Sequence, residues 1–175
     1  VHYETIEQEN IILRTEVLNR LKAENQLLIV TYPEALVEKV ISSEGLASHT
    51  FQVTKGDKLS IEFVNEVLFE YGFERVDFVY EPGQYSIRGS IVDVYSFSSE
   101  DPYRLDFFGD EVDTIRSFNL DNQISKEALT RISIIPNIQQ DLKGEERISF
   151  MDFIPADTLL FMNDIQLIID LMQFN

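Results

Sequence analysis

The stretch "YRLDFFGDEVDTI", residues 103–115, fits two different structures, and the function predicted for this chain depends on which of them it forms. An apolar run that ends in an Asp-Glu pair is typical of the ATPase strand that holds magnesium, but it also fits a β-hairpin with exposed side chains. Asp106 interrupts the apolar run and Gly109 precedes the acids, so the ATPase pattern is broken. Gly109-Asp110 between two alternating runs is a two-residue hairpin turn. The sequence therefore predicts a hairpin here.

The glycines also argue against a nucleotide-binding site. A phosphate-binding loop requires G-x-x-x-x-G-K-[ST], because glycine amides and the lysine must surround the phosphates. None of the seven glycines is followed by lysine. We therefore expect no nucleotide, no cofactor and no catalytic residues. A hydrolase that uses an acid pair such as Asp110 and Glu111 is a further alternative, but with thirty-one acidic residues chance neighbours are inevitable.

Composition restricts the possible partners and compartment. The 175 residues carry a net charge of −17, which repels phosphate backbones and favours a partner with a basic or mixed surface. The absence of cysteine excludes disulfides and thiolate metal sites and fits a cytoplasmic protein. No apolar run approaches the ~20 residues of a membrane helix. His2 and His49 are far apart, so no metal site is expected.

Hydrophobic periodicity predicts an α+β or α/β fold in which degenerate α/β flanks carry an inserted, small antiparallel β-rich domain. The predicted domains are 1–72, 73–130 and 131–175, and both ends break off as in a piece of a longer protein. The predicted helices are 5–22, Pro33 to about Ser43, 163–174, and a helix with Asp57 as N-cap and Gly72 as C′ residue. The predicted strands are 27–32, 75–80, 84–97, 103–108, 111–118, 131–136 and 158–162. "EPGQ" (81–84) predicts a type II turn, and "SSEDP" (98–102) a loop.

Strand alternation divides the predicted sheet into an apolar and a polar face. Leu105, Phe107 and Val112 fall on the apolar face, whereas Arg104, Asp106, Phe108 and Asp113 fall on the polar one. The same alternation places Ile87 with Ile91 on one face and Ser86, Arg88 and Ser90 on the other. In 75–80 it places Val76, Phe78 and Tyr80 opposite Arg75 and Asp77.

The polar face has the composition of a protein interface. Exposed arginine and aromatic side chains dominate binding hot spots. The candidate partner-binding residues are Arg75, Arg88, Arg104, Asp106 and Phe108. Two alternatives stay open: the arginines and acids only solvate the surface, or Phe108 tucks under a loop. If the arginines are exposed, removing one costs the fold about 0–1 kcal/mol.

A long motif in this region resembles a known family. "GFERVDFV" followed by "EPGQYSIRGSIVDVYSFSSEDPYRLDFFGDEVDTI" is similar to the UvrB-like amino-terminal module of bacterial transcription-repair coupling factors (Mfd), and the similarity continues through "SIIP" and "FIPADTLLFMND". UvrB itself shares the core of the motif. It has a basic residue at the position of Pro82 and L-T-G where this chain has "DNQIS", so the coupling factors match better.

The resemblance implies a partner and the residues that bind it. In that family the module is a degenerate copy of UvrB domains without nucleotide binding, and its β-rich part docks onto UvrA in nucleotide excision repair. By motif, the docking residues fall on Arg75, Arg88, Arg104 and Asp106, and Phe108 joins them from the alternation. Ser86 stands where UvrB has a further arginine.

The resemblance also implies what lies elsewhere in a full-length member. That protein is an ATP-dependent DNA translocase with an RNA-polymerase-binding domain, and a carboxy-terminal domain covers its docking face. RNA polymerase, duplex DNA and that domain are not expected to bind these 175 residues. The alternative identity is a fragment of a UvrB-type repair helicase. The residues before Val1 distinguish the two, since UvrB has a Gly-Lys-Thr loop there.

Overall fold

The computed structural model describes residues 2–24, 26–139, 145–166, 169 and 170. The helices with defined ends are α1 (His2–Ala23), α2 (Pro33–Val37), α3 (Ser43–Ser48), α4 (Ile61–Glu70) and α5 (Phe150–Phe153). The strands are β1 (Lys39–Ile41), β2 (Phe51–Thr54), β3 (Glu74–Arg75), β4 (Gln84–Arg88), β5 (Ile91–Val94), β6 (Tyr103–Phe108), β7 (Glu111–Phe118), β8 (Ser125–Leu129), β9 (Arg131–Ile134) and β10 (Arg147–Ser149). Helices combined with small antiparallel sheets confirm the α+β class.

The chain forms two compact units. Unit 1 comprises Val1–Glu16 and His49–Asn137, and unit 2 comprises Val17–Ser48 and Ile138–Asn175. Each unit is therefore assembled from two separate stretches of sequence. The division into domains 1–72, 73–130 and 131–175 stays a prediction.

Unit 1 contains a six-stranded sheet with the order β3-β4-β5-β6-β7-β8. Its strands pair antiparallel except for β3 and β4. The hairpin predicted from the opening stretch is confirmed: Phe108 pairs with Glu111, and Gly109 at the turn has a φ of 61°. The turn at 81–84 is confirmed as well, since Gly83 has a φ of 85° and the amide of Gln84 donates to the carbonyl of Glu81.

One face of this sheet is buried in the main apolar core. Leu105, Phe107 and Val112 expose 5% or less of their surface, as the alternation predicts. Helix α4 contributes Val64 and Leu68 to the same core. The strand pair β2–β9 contributes residues to it as well, among them Val53, Ile132 and Ile134. Apolar burial on this side leaves the opposite face of the sheet for polar side chains.

Helix α4 is capped by a side chain at its N-terminus and by backbone hydrogen bonds at its C-terminus. The hydroxyl of Ser60 accepts a hydrogen bond from the amide of Phe63 and caps the N-terminus. The predicted N-cap, Asp57, is wrong: its carboxylate accepts from the amide of Thr54 in the preceding turn. Gly72 is confirmed as the C′ residue with a φ of 75°, because the amide of Phe73 returns to the carbonyl of Leu68.

Unit 2 is built around the antiparallel pair β1–β10, in which Val40 is opposite Ile148. Ile41 and Leu46 are each only 1% exposed. The helix predicted from Pro33 to Ser43 begins at Pro33 but ends at Val37, so its second half is wrong. The segment after Val37 pairs as β1, because the side chains of "KVI" favour a strand once β10 is available as a partner.

The two predicted strands at 27–32 and 158–162 are wrong. Both segments lack regular structure and are largely exposed, with Leu28 at 90% and Phe161 at 92%. Apolar side chains give a segment strand propensity, but a strand also requires a partner for its backbone groups. Neither segment pairs with a strand in the described ranges. Of the helix predicted over 163–174, residues 165, 166, 169 and 170 are helical, while 167, 168 and 171–174 lie outside the described residues.

Two strand predictions in the sheet need correction. The strand over 75–80 is only β3, since the chain bends after it, buries Val79 and exposes Phe78 and Tyr80. The strand over 84–97 is a hairpin, because Gly89, with a φ of 61°, reverses the chain between β4 and β5. In the described part of the chain, no helix combines the length and the apolarity needed to cross a membrane.

Candidate docking face

Four strands carry the polar side of the six-stranded sheet. The register aligns Asp93 of β5 with Ser86 of β4 and with Arg104 of β6. Directly paired residues present their side chains on the same face of a sheet. Arg88 and Asp106 align through Ile91, which pairs with both. The structure therefore brings three of the predicted residues, Arg88, Arg104 and Asp106, to the face opposite the core.

At the centre of this face lies a carboxylate that the sequence analysis missed. Asp93 is buried, with 1% of its side chain exposed, and it binds two arginines. Arg104 donates from Nε to Oδ1 over 2.6 Å and from Nη2 to Oδ2 over 2.9 Å. Arg88 donates from Nη2 to Oδ2 over 2.5 Å. One buried negative charge thus holds two guanidinium groups side by side.

Arg104 is the inner of the two arginines. Only 14% of its side chain is exposed, and its guanidinium lies 4.5 Å from the centre of the buried Phe118 ring. It also donates to the side-chain oxygen of Gln123 over 3.2 Å and, more weakly, to the Gln123 carbonyl over 3.4 Å. The hydrogen bonds to Asp93 raise the pKa of Arg104 above the ordinary arginine value. The expectation that this arginine is freely exposed is therefore wrong.

Arg88 is the outer arginine. Its side chain is 35% exposed, and its guanidinium lies 4.8 Å from the centre of the Phe78 ring, itself half-exposed. Beyond Asp93 it has one long contact, 3.4 Å from Nη1 to the carbonyl of Asp77. Nε of Arg88 makes no hydrogen bond to the described residues, so this arginine retains donors for a partner.

Asp106 belongs to a second ion pair on the same face. Its Oδ2 accepts from the hydroxyl of Thr114 over 2.6 Å and from Nη2 of Arg116. Nε of Arg116 and the hydroxyl of Ser86 are buried and have no hydrogen-bond partner in the described part of the chain. The carboxylate of Asp106 is already engaged within the sheet, although a quarter of its side chain stays exposed.

The other two predicted residues lie at the margins. Phe108, at the tip of the hairpin, is 81% exposed, so the alternative in which it tucks under a loop is wrong. Arg75 is exposed at the edge strand β3 and pairs with Tyr85, a core residue, so the register aligns it with the core side of the sheet and its predicted place on the polar face is wrong. Within the described ranges, no side-chain hydrogen bond or ion pair joins Arg75 to the Asp93 cluster. The structure brings neither residue into contact with that cluster.

The missed residues had a signal in the sequence. An acid in the middle of the apolar run "IVDV" is unusual unless a cation meets it, and Asp93 is that acid. The predicted strand over 84–97 did not include the turn at Gly89. Alternation along that uninterrupted strand placed Ile91 on the same face as Ile87, whereas the register places Ile91 beside Arg88. Phe78 was not predicted as a surface residue, because the predicted strand over 75–80 assigned it to the apolar face.

The cluster carries positive charge on an acidic protein. Arg88, Arg104 and Arg116 against Asp93 and Asp106 leave one positive charge, while the chain as a whole carries −17. The half-exposed ring of Phe78 lies against these charges, and Phe108 is exposed at the tip of the β6–β7 hairpin. The arrangement suits binding of an acidic or mixed protein surface. Among the described residues, no group of three His, Asp or Glu side chains could hold a metal ion. The expected absence of cofactors and catalysis stays a prediction.

Comparison with known proteins places this face in a family context. A family model described as the UvrB interaction domain matches residues 51–139, which include all of the polar face. The chain is 38% identical over 144 residues, 82% of its length, to a protein named transcription-repair-coupling factor from Bacillus subtilis (strain 168). It is 33% identical over 129 residues, 74% of its length, to the protein of the same name from Escherichia coli (strain K12). The chain spans only 12% and 11% of those two proteins, respectively.

Proposed function

Because the chain belongs to the UvrB interaction domain family, we propose that it is the UvrA-docking piece of a transcription-repair coupling factor. In this role it recruits UvrA for nucleotide excision repair in the bacterial cytoplasm. It does so by binding and not by catalysis. The names of the relatives support the coupling factor over the alternative, a fragment of a UvrB-type repair helicase.

The observation that carries the proposal is the arginine and aromatic composition of the polar face. Interfaces are enriched in arginine and aromatic side chains and are organised around a few of them. Here Arg88 retains free donors next to the half-exposed Phe78, and Phe108 is 81% exposed at the adjacent hairpin tip. These three side chains offer a partner both charge and apolar area.

We assign the five predicted residues different parts in this interaction. Arg88 and Phe108 contact UvrA directly, and Arg75 contributes charge at the margin of the interface. Arg104 and Asp106 act mainly by shaping the face, because their polar atoms are engaged with Asp93 and with Thr114 and Arg116. The wider assignment of a degenerate UvrB-like fold with domains 1–72, 73–130 and 131–175 is part of the same proposal.

The experiment is a titration of this chain with purified UvrA by calorimetry, with variants. Arg88→Ala and Phe108→Ala should each weaken binding by about 2 kcal/mol, close to thirtyfold. Arg131→Ala is the matched control, because it removes an exposed guanidinium from β9, outside the six-stranded sheet. Equal affinity of all four proteins would show that the partner site lies elsewhere.

The remaining activities belong to the whole protein and not to this piece. We propose that the full-length protein is an ATP-dependent DNA translocase that also binds RNA polymerase and duplex DNA. Within that protein, a carboxy-terminal domain masks the docking face. The −17 net charge of these 175 residues supports the view that duplex DNA is bound by other parts of the full-length protein.

A further inference from the structure

We infer that Asp93 is a positioning residue of the docking face: its single buried carboxylate fixes Arg88 and Arg104 as a pre-organised pair that a partner meets without reordering them. This inference rests on the proposed docking function and adds a residue that is not among the five predicted docking residues. The two arginines lie on strands either side of β5, so one carboxylate on the central strand reaches both.

The geometry explains why the pair is fixed. Arg104 contacts Asp93 through two parallel hydrogen bonds, of 2.6 and 2.9 Å, the fork arrangement that sets both position and orientation of a guanidinium. Arg88 contacts the same carboxylate and lies over Phe78, while Arg104 lies over Phe118. Each guanidinium is therefore held at its edge by Asp93 and at its face by an aromatic ring.

Burial makes this arrangement different from a surface ion pair. Two arginines on a solvated face move through many rotamers, and a partner must order them at the cost of side-chain entropy. Asp93 is 1% exposed, so its bonds are shielded from water and the two side chains are ordered before the partner arrives. Removing the charge of Asp93 should weaken docking even though it makes the face more positive.

The inference can be tested because pre-organisation and simple charge attraction predict opposite changes in affinity when the charge of Asp93 is removed. Asp93→Asn should weaken UvrA binding by about tenfold, mainly through faster dissociation, because changes within one interface act mostly on the dissociation rate. Long-range attraction would instead predict faster association and tighter binding of an acidic surface. Asp113→Asn, which removes a charge from an exposed position on β7, should stay within about twofold of wild type. Val94→Ala, on the core side of β5, should lower the melting temperature without this loss of affinity.

A second readout does not need the partner. In the free protein, the Nε–H signal of Arg104 in a nitrogen-proton NMR spectrum should be sharp and slow to exchange in wild type, and lost in Asp93→Asn. If Asp93→Asn does not fold, Arg104→Lys serves instead: it keeps the charge, loses the fork, and should weaken UvrA binding by about fivefold.

The outcomes separate the inference from the proposed function. If wild type and Asp93→Asn bind UvrA equally while Arg88→Ala weakens binding, docking stands and the positioning role of Asp93 is overturned. Wild-type affinity of Arg104→Lys overturns it as well. If wild type does not bind UvrA, the proposed function fails. The NMR readout on the free protein still applies in that case: an Arg104 Nε–H signal that is unchanged in Asp93→Asn overturns the positioning role.

Discussion

The two arginines of the docking face should differ in what they contribute to the free energy of unfolding. Sequence alternation predicts two exposed arginines that cost the fold about 0–1 kcal/mol each when removed. The structure instead exposes 14% of Arg104 and 35% of Arg88. We therefore expect Arg104→Ala to destabilise the protein clearly more than Arg88→Ala does.

The magnitude follows from the contacts that each change removes. Removing one partner of a buried ion pair costs about 3–5 kcal/mol when it leaves a charge unpaired. In Arg104→Ala the carboxylate of Asp93 retains Arg88, so we expect about 2–3 kcal/mol, including the lost stacking on Phe118. In Arg88→Ala the fork from Arg104 remains and the lost side chain is partly solvated. The cost there should be about 1 kcal/mol or less.

Thermal unfolding followed by calorimetry or circular dichroism measures the difference. For a chain of this size, 1 kcal/mol shifts the melting temperature by roughly 2–4 °C. Arg104→Ala should therefore melt about 4–12 °C below wild type and Arg88→Ala no more than about 4 °C below. Arg75→Ala, at an exposed edge position, is the control and should stay close to wild type. Equal melting temperatures for Arg104→Ala and Arg75→Ala would refute the buried ion-pair argument.

Three further predictions concern other parts of the molecule. Ser60→Ala should destabilise the protein by about 1 kcal/mol in urea unfolding, because it removes the N-cap of α4; no change would contradict that assignment. Burial raises the pKa of Tyr95 to about 12, so the unfolded chain releases this proton first and the protein should lose stability between about pH 10 and 12. Tyr95→Phe should reduce that loss in melts across the range, and an identical pH profile would count against it. Millimolar ATP with magnesium should leave the melting temperature unchanged, and a rise would reveal a nucleotide site.

Much of the sheet could be predicted because its turns are determined by the residues that form them. Gly83 and Gly109 both adopt the positive φ that their turns require, and they fix the register of the strands beside them. The apolar side of β6 and β7 followed from alternation alone. Gly89-Ser90 is also a glycine turn, and because the predicted strand over 84–97 ran through it, Ile91 was assigned to the wrong face.

The incorrect strands share a physical cause. Propensity is a property of a segment, whereas strand formation depends on a second segment that supplies hydrogen-bond partners. "LLIVTY" has high propensity but does not pair with any strand in the described ranges, while "KVI" is short and pairs with β10. Pairing between segments more than a hundred residues apart cannot be deduced from either segment by itself.

The same dependence on distant partners decides which charged residues act at the surface. Arg88 and Arg104 look alike in the sequence, since each alternates with apolar neighbours, yet one retains free donors and the other is committed to Asp93 and Gln123. What separates them is position across the sheet: Arg104 lies between β5 and β7, whereas Arg88 lies towards the short edge strand β3. An arginine near an edge has fewer neighbours that can bind its donors and more water around it. A docking motif therefore names the residues that form such a face, but the strand order determines which of them is left to meet the partner.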